Sequence, residues 1–178
     1  MLGEEEGDDG TPVRWIVDPI DGTRNFLRGI PIWATLLALE RDGRVVCGVV
    51  SAPALGHRWW ASLGAGAFRD GDPLQVSRVA SLADATVCAT YAWDLAAVEQ
   101  RVWHARGFGD FWQHMLVAEG VVDAAIDAEL AIWDYSAIAV VVEEAGGRVT
   151  TTAGGVLEPD VQVLSSNGAL HADVLALL

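Results

Sequence analysis

Two aspartates, Asp18 and Asp21, directly follow a short apolar run in the segment WIVDPIDGTRNF (15–26). A strand that ends there would place both carboxylates at the edge of a sheet, and Pro19 would help to bend the chain because its φ is fixed at about −65°. Carboxylates this close repel each other unless a positive charge lies between them. Mg²⁺ prefers such oxygen ligands, and the Ile20 carbonyl is a further one. The spacing therefore indicates a metal site.

The residues after the aspartates suit phosphate binding. Gly22 and Thr23 begin a turn whose backbone N–H groups can hold an anion. Carboxylates for a metal beside amides for a phosphate indicate metal-assisted phosphoryl chemistry. The alternative is that Asp18 and Asp21 only form a turn, and the motif by itself favours that interpretation.

Two other segments add carboxylates to the metal hypothesis. GEEE (3–6) precedes the apolar run, and IWDYSA (132–137) places Asp134 at the start of a predicted helix. An aspartate in that position is commonly an N-cap. The same helix closes with EEAGG, and this combination of segments is unusual.

The segments that must position these residues combine strand and helix patterns, so we predict an α/β (α+β) fold. The predicted strands cover residues 14–17, 32–40, 44–53, 57–63, 86–91, 121–127, 148–151 and 161–166. The predicted helices cover 94–103, capped by Asp94, 110–120, 134–147 and 169–178, and turns are predicted at 64–68 and 70–73. We expect a single domain, 1–178, with an antiparallel sheet half (1–82) and an α/β half (83–178).

Composition narrows the class of protein. The chain has 178 residues and a net charge of −14, which argues against binding to nucleic acid or to a membrane surface. An acidic balance suits a protein that concentrates divalent cations, although it also favours solubility alone. Cys47 and Cys88 have apolar neighbours and are predicted to be reduced. Without an apolar run of roughly 18 residues or a signal peptide, the chain is predicted to be cytoplasmic.

Three segments together are similar to the signatures of the inositol monophosphatase family of metal-dependent phosphatases. They are GEE (3–5), WIVDPIDGTRNF (15–26) and WDYSAIAVVVEEAGG (133–147). The resemblance implies a layered αβαβα sandwich, usually a homodimer, that hydrolyses small phosphate monoesters with two or three Mg²⁺ ions. It also implies direct in-line attack by a metal-bound water, while a second metal stabilises the leaving alkoxide.

The metal ligands implied by this resemblance are five residues. Glu4 resembles the glutamate that binds the first metal and helps to orient the attacking water. Asp18 resembles the aspartate that bridges two metals, and Ile20 lends its carbonyl to the first. Asp21 and Asp134 resemble the ligands of the second metal.

The resemblance also implies how the phosphate is held. Gly22 and Thr23 resemble the pair whose amides bind it, and the Thr23 hydroxyl would help to polarise the water. Catalytic roles are therefore expected for Glu4, Asp21 and Thr23.

Within the family, the resemblance is closest to the histidinol-phosphate phosphatases of histidine biosynthesis. It rests on residues 29–40, 49–68 and 106–127, which include the adjacent Trp59 and Trp60. The tryptophan pair has an alternative interpretation, in which one indole packs in the core and the other is exposed. Inositol phosphate or another small phosphate is the alternative substrate.

Histidinol phosphate carries an amine and an imidazole, so its pocket should offer carboxylates and hydrogen-bond acceptors. Asp127 lies seven residues before Asp134, where the family places an acidic substrate contact. Arg106, Asp110 and Asn167 are candidates by position, although Asp110 also suits a helix cap and Asn167 a turn. The predicted substrate-binding residues are Ile20, Asp21, Gly22, Thr23, Arg106, Asp110, Asp127, Asp134 and Asn167. The four histidines, His57, His104, His114 and His171, lack metal-ligand spacing and are predicted to be surface or packing residues.

No segment of the sequence matches the N-terminal part of the family pattern. Family members carry two helices and a further acidic residue before the segment that matches GEE. Those helices cover one face of the first sheet, and the acidic residue pairs with the threonine that matches Thr23. We therefore expect a fold without the helical pair, an open apolar sheet face and weak activity. An inactive fragment that serves as a binding partner is the remaining alternative.

Overall fold

The computed structural model of the chain describes residues 1–4, 11–91, 96, 98–158 and 160–178. Its first sheet has seven strands that follow one another in chain order, and neighbours are antiparallel apart from the parallel first pair. These strands are β1 (Leu2–Gly3), β2 (Val13–Asp21), β3 (Ala34–Arg41), β4 (Arg44–Ala52), β5 (His57–Ser62), β6 (Gly66–Arg69) and β7 (Asp72–Pro73). Helix α1 (Thr23–Arg28) connects β2 to β3.

The second sheet contains five strands in a mixed arrangement. They are β8 (Thr86–Ala89), β9 (His104–Arg106), β10 (Ala124–Leu130), β11 (Arg148–Thr151) and β12 (Val161–Ser166), in the spatial order β11-β12-β10-β8-β9. A 3₁₀ turn (Leu82–Asp84) precedes this sheet, close to the predicted boundary at residue 82. The accompanying helices are α2 (Asp110–Ala118), α3 (Ile132–Glu144) and α4 (His171–Leu175). None of the described helices is long and apolar enough to cross a membrane.

Helix α3 joins the two sheets into a layered α/β structure. It packs on β2 to β6 of the first sheet and also contacts β10, β11 and β12 of the second. Buried residues from both sheets form one apolar cluster around it, for example Leu36, Trp59, Ile138 and Val163. The prediction of an α/β fold is confirmed.

A close contact between α3 and the first sheet depends on a glycine. A Cβ atom on Gly48 in β4 would lie 2.6 Å from Val140 Cγ1 and 2.9 Å from the Ala137 Cα atom. Backbone atoms cannot move away as a flexible side chain can, so even one methyl group must push the helix from the sheet.

We therefore expect Gly48→Ala to lower the free energy of unfolding by about 1–3 kcal/mol, as measured by urea denaturation. Gly155→Ala is the matched control, because its new Cβ would meet only Thr151 Oγ1 at an ordinary 3.4 Å. The control should change stability by no more than about 0.5 kcal/mol. Equal effects of the two substitutions would contradict the close helix–sheet contact.

The opposite face of the first sheet carries partly exposed apolar side chains. Trp15 is 45% exposed, and the cross-strand row Val17, Leu37, Val49 and Trp60 is only half-buried. Among the described helices, α3 is the one with extended contacts to this sheet, and it lies on the other face. Within the described residues, this face of the sheet therefore carries apolar side chains that no described helix covers.

The tryptophan pair has a packing explanation. Trp59 is 1% exposed and its Nε1 donates to Glu119 Oε1 at 2.7 Å, while Trp60 is half-buried and stacks on Phe68. One indole packs in the core, as in the alternative interpretation, although its neighbour Trp60 is half-buried instead of exposed. This packing accounts for the pair without any role in substrate choice.

Several elements differ from the predicted ones. The turns predicted at 64–68 and 70–73 contain strands β6 and β7, because glycines that suggested turns lie in a hairpin that continues the antiparallel ladder. Helix α1 and strand β9 were not predicted. The helix predicted over 94–103 falls partly on residues 94, 95 and 97, which lie outside the described residues.

Candidate active site

The two aspartates of the first motif are brought to one side of the sheet by an irregularity in β2. Asp18 pairs with Leu36 and Asp21 with Ala34, so three steps along β2 match two steps along β3. Side chains alternate along a strand, and residues three apart would face opposite sides. One extra residue in the strand reverses the alternation. The bulge thus explains how both buried carboxylates point the same way.

Asp134 completes a cluster of three carboxylates. One oxygen atom from each of Asp18, Asp21 and Asp134 lies within 4.8 Å of the others. Asp134 lies in the first turn of α3 and accepts a hydrogen bond from the Ala131 amide at 2.7 Å, so it also caps the helix from inside. Capping and membership of the cluster are therefore compatible.

Backbone amides fix the orientation of the other two carboxylates. Asp18 Oδ1 accepts from the Ile20 amide at 2.9 Å. Asp21 Oδ2 accepts from the Phe111 amide at 2.9 Å, which ties β2 to the start of α2. These bonds hold the carboxylates together despite their mutual repulsion.

The crowding of buried acids changes their ionisation. Burial raises the pKa of Asp18 to about 7, the Ile20 hydrogen bond opposes this, and the charges of Asp134 and Glu4 raise it further. Burial likewise raises the pKa of Asp134 to about 6 and, together with the charge of Asp110, lifts the pKa of Asp21 well above its usual range. A bound cation would relieve this penalty.

The donor set fits a hard divalent cation. All the groups are oxygen ligands, namely three clustered carboxylates with the Ile20 carbonyl and Glu4 on the same cavity wall. Mg²⁺ favours carboxylates, carbonyls and water over nitrogen and sulfur ligands. Asp18, Asp21 and Asp134, together with Glu4 and the Ile20 carbonyl, are the groups that would hold such an ion.

The cluster opens into a cavity of about 590 Å³. Its described lining carries six carboxylates and one guanidinium, from Glu4, Asp18, Asp21, Asp110, Asp127, Asp134 and Arg24. Such a cavity attracts cations, and it can hold a phosphate only where a metal or backbone amides compensate for the acids.

The turn that the sequence predicts to bind phosphate, Gly22 and Thr23, lies on the cavity wall. Gly22 precedes α1 with φ of 77°, and a Cβ atom there would lie 2.8 Å from the Ile32 carbonyl oxygen. The amides of a first helical turn have no acceptor within the helix. The Thr23 hydroxyl donates to the Ile20 carbonyl at 2.9 Å, which links the turn to the segment that carries Asp18 and Asp21.

Of the four residues predicted to contact the rest of the substrate, Arg106, Asp110, Asp127 and Asn167, two lie in this cavity. Asp110 and Asp127 line it. Asp110 is the first residue of α2 but does not cap it through its side chain, and its Oδ2 accepts from Asn25 Nδ2 at 2.7 Å. Burial and the charge of Asp127 raise the pKa of Asp110 to about 6, while Arg24 opposes the shift.

The other two candidates lie elsewhere. Arg106 is exposed in β9, outside the cavity lining, and donates to the Ala105 carbonyl. Asn167 is buried and donates from Nδ2 to Ser77 Oγ and the Val79 carbonyl, so its side chain is occupied in holding a loop.

Sequence reasoning did not select Arg24, Asn25 or Gln113 for the site. Arg24 and Asn25 line the cavity, and both directly follow the phosphate turn, which was the available signal. Gln113 donates to Asp127 from inside α2, a contact that no sequence pattern indicates.

A model of the inositol monophosphatase family matches residues 1–178. The chain belongs to the inositol monophosphatase family. It is 44% identical to the histidinol-phosphatase of Mycobacterium tuberculosis over 100% of this chain and 75% of the relative, and 43% identical to that of Streptomyces coelicolor over 99% and 73%. The solved Thermotoga maritima IMPase superposes with a TM-score of 0.91 at 33% identity, covering 99% of this chain and 72% of that one.

Membership of the inositol monophosphatase family gives the acidic cavity a chemical class. The chain is a phosphatase of this family, a phosphoric monoester hydrolase that acts on small phosphorylated molecules. The layered fold is that of its solved relatives.

The stabilisation of this phosphatase by Mg²⁺ should increase with pH. A raised carboxylate pKa in the folded state contributes stability that is present at low pH and lost as pH rises through about 6–7. The repulsion between ionised carboxylates therefore lowers the stability of the metal-free protein most at pH 8. At this pH, Mg²⁺ no longer competes with protons for the carboxylates. We expect the rise in melting temperature with Mg²⁺ to be larger at pH 8 than at pH 5.5, with NaCl at matched ionic strength as the control. An equal or smaller rise in melting temperature at pH 8 would contradict the binding of Mg²⁺ by Asp18 and Asp134.

Proposed function

We propose that the chain is a Mg²⁺-dependent histidinol-phosphate phosphatase. The observation that carries the proposal is one cavity that joins a three-carboxylate cluster to two further acids, Asp110 and Asp127. The cluster suits a metal and a phosphate, whereas the additional acids suit a positively charged leaving group. The similarity to two histidinol-phosphatases at 43% and 44% identity supports the same substrate.

In this proposal, Glu4, Asp18, Asp21, Asp134 and the Ile20 carbonyl hold two or three Mg²⁺ ions. When bound, the ions would supply an activated water and neutralise charge on the phosphate and on the leaving oxygen. Three of these groups are already clustered within 4.8 Å, which favours a site that needs little rearrangement.

The chain's own groups orient the reactants. The amides of Gly22 and Thr23 would hold the phosphate at the start of α1. The Thr23 hydroxyl already donates to the Ile20 carbonyl, and in the working site it would orient the attacking water. Glu4 lines the same cavity as Gly22 and Thr23, and its carboxylate would accept a proton from that water.

The leaving group is recognised by acids further along the wall. Asp127 is buried and Asp110 is anchored by Asn25. Both can pair with the ammonium or imidazolium of histidinol, because charge-assisted hydrogen bonds to carboxylates are stronger than neutral ones. A neutral polyol would gain less from the same acids.

Initial rates of phosphate release test this function. With Mg²⁺, the parent protein should hydrolyse histidinol phosphate with a higher kcat/KM than inositol 1-phosphate, and excess EDTA should abolish both reactions. Turnover that persists in EDTA would contradict the dependence on Mg²⁺. Equal rates, or a preference for inositol 1-phosphate, would contradict histidinol phosphate as the substrate.

Inositol 1-phosphate is the second candidate substrate. It is favoured by the TM-score of 0.91 with the Thermotoga maritima IMPase. A polyol can also donate hydrogen bonds to Asp110 and Asp127, and the same pair of rates separates the two candidates.

We also propose that the chain is a homodimer in the cytoplasm. The family resemblance of residues 15–26 and 133–147 supports the dimer. Sedimentation equilibrium should give twice the 18.9 kDa mass of the chain, and a single-chain mass at micromolar concentration would contradict it.

A further inference from the structure

Helix α2 places a buried histidine behind one acid of the cavity. His114 is fully buried, and among the described buried side chains its Nε2 is the polar atom that has no hydrogen-bond partner. Nε2 lies 3.6 Å from Asp127 Oδ2. Leaving a buried donor or acceptor unpaired costs free energy, so the direction of this ring requires an explanation.

The facing oxygen of Asp127 is also incompletely satisfied. Oδ1 accepts from the Ala128 amide at 2.9 Å, and Oδ2 accepts from Gln113 Nε2 at 3.2 Å. The same Nε2 also lies 3.0 Å from Thr90 Oγ1 and 3.1 Å from the Ile126 carbonyl oxygen. Two hydrogens therefore serve three acceptors, and the carboxylate is the most distant of them. Oδ2 has room for a second donor.

The far side of the ring determines which nitrogen carries the proton. His114 Nδ1 lies 2.8 Å from the hydroxyl of the buried Ser165. If this hydroxyl donates to Nδ1, the neutral ring carries its hydrogen on Nε2, where it points at Asp127. This arrangement gives Nδ1 a donor and directs the Nε2 hydrogen at Oδ2, 3.6 Å from Nε2, whereas the opposite tautomer leaves Nε2 and Oδ2 facing each other as two acceptors.

We propose that His114 is a positioning residue for substrate specificity, whose Nε2–H holds the Asp127 carboxylate in the direction that receives the cationic end of a phosphate monoester. The inference rests on the proposed function. His114 follows Asp110 by one helical turn, so both residues lie on the same face of α2. His114 thus lies between Ser165 of β12 and Asp127 of β10, and Asp127 lines the cavity.

Two substitutions separate the two ring nitrogens. His114→Asn keeps an amide near the place of Nδ1 but loses the donor at Nε2, whereas His114→Gln places an amide nitrogen near Nε2. We expect His114→Asn to raise KM for histidinol phosphate about 10-fold, with kcat and the KM for inositol 1-phosphate little changed. His114→Gln should restore most of the lost affinity.

A purely structural role would give a different pattern. It would lower the melting temperature and weaken the turnover of both substrates together, and Asn and Gln would be equally harmful. The proposal would be overturned if both substrates were affected alike or if Asn and Gln had equal effects. His57→Asn, at an exposed histidine outside the cavity lining, is the control for the substitution itself.

A measurement that needs no catalysis tests whether Nε2 carries the hydrogen that faces Asp127. Long-range ¹H–¹⁵N NMR spectra of the parent protein report which ring nitrogen carries hydrogen, and we expect Nε2–H for His114. A ring with its hydrogen on Nδ1 would overturn the proposal even if the variants fail to fold. The proposed function is judged separately, because a parent protein that prefers inositol 1-phosphate contradicts the substrate and leaves the tautomer result intact.

Discussion

Asp18→Asn is expected to abolish Mg²⁺-dependent phosphate release and the rise in melting temperature with Mg²⁺. Asp18 has both a fixed oxygen at the Ile20 amide and a place in the three-carboxylate cluster. Loss of an outer partner of a metal ligand typically costs 10–100-fold, so loss of the ligand itself should lower kcat/KM by more than about 100-fold. Steady-state phosphate release and thermal melts with and without Mg²⁺ measure the two effects.

Asp173→Asn is the matched control for this substitution. Asp173 is exposed in α4 and lies outside the cavity lining, so the same chemical change should leave the rate and the Mg²⁺ effect near those of the parent. An Asp18→Asn protein that keeps Mg²⁺-dependent activity within about tenfold of the parent would refute the assignment of Asp18 as a ligand.

Asp127→Asn should discriminate between substrates instead of abolishing the reaction. A buried carboxylate that pairs with the substrate's cationic group is worth several kcal/mol, so its loss should lower kcat/KM for histidinol phosphate on the order of 10²-fold. Inositol 1-phosphate carries no cation, and its kcat/KM should change by much less. Parallel kinetics on the two substrates test the difference.

The comparison with Asp18→Asn controls for a nonspecific loss of activity toward both substrates. Asp18→Asn should affect both substrates equally because both need the metal, whereas Asp127→Asn should be selective. If Asp127→Asn lowers both reactions by the same factor while the protein keeps its parent melting temperature, Asp127 does not recognise the leaving group.

The carboxylate cluster was predictable because three segments, 3–5, 15–26 and 133–147, together resemble the family signatures, whereas the first motif by itself favoured a turn. Asp18 and Asp21 lie within one short segment, and Asp134 follows an aromatic residue at a helix start. The bulge that turns Asp18 and Asp21 to one side was not predictable, because it is defined only by the pairing of β2 with β3.

The site residues predicted from their position in a matching segment were less reliable than those predicted from the motif of Asp18 and Asp21. Position in a matching segment places Asp110 and Asn167 near the right elements, but it does not fix the side-chain direction. Asn167 is occupied by Ser77 and Val79. His114 fits the prediction of a packing residue by its burial, yet its contact with Asp127 joins a helix to a strand 13 residues away and is visible only in three dimensions.

In the proposed function, Asp18, Asp21 and Asp134 together hold the divalent cation on which hydrolysis depends. Anomalous diffraction from crystals of the metal-stripped protein soaked in Mn²⁺ tests this claim, because Mn²⁺ accepts the same oxygen ligands as Mg²⁺. We expect the strongest anomalous peak within coordination distance of all three carboxylates. A peak bound by other residues, or no peak in this cluster at millimolar Mn²⁺, would contradict the claim.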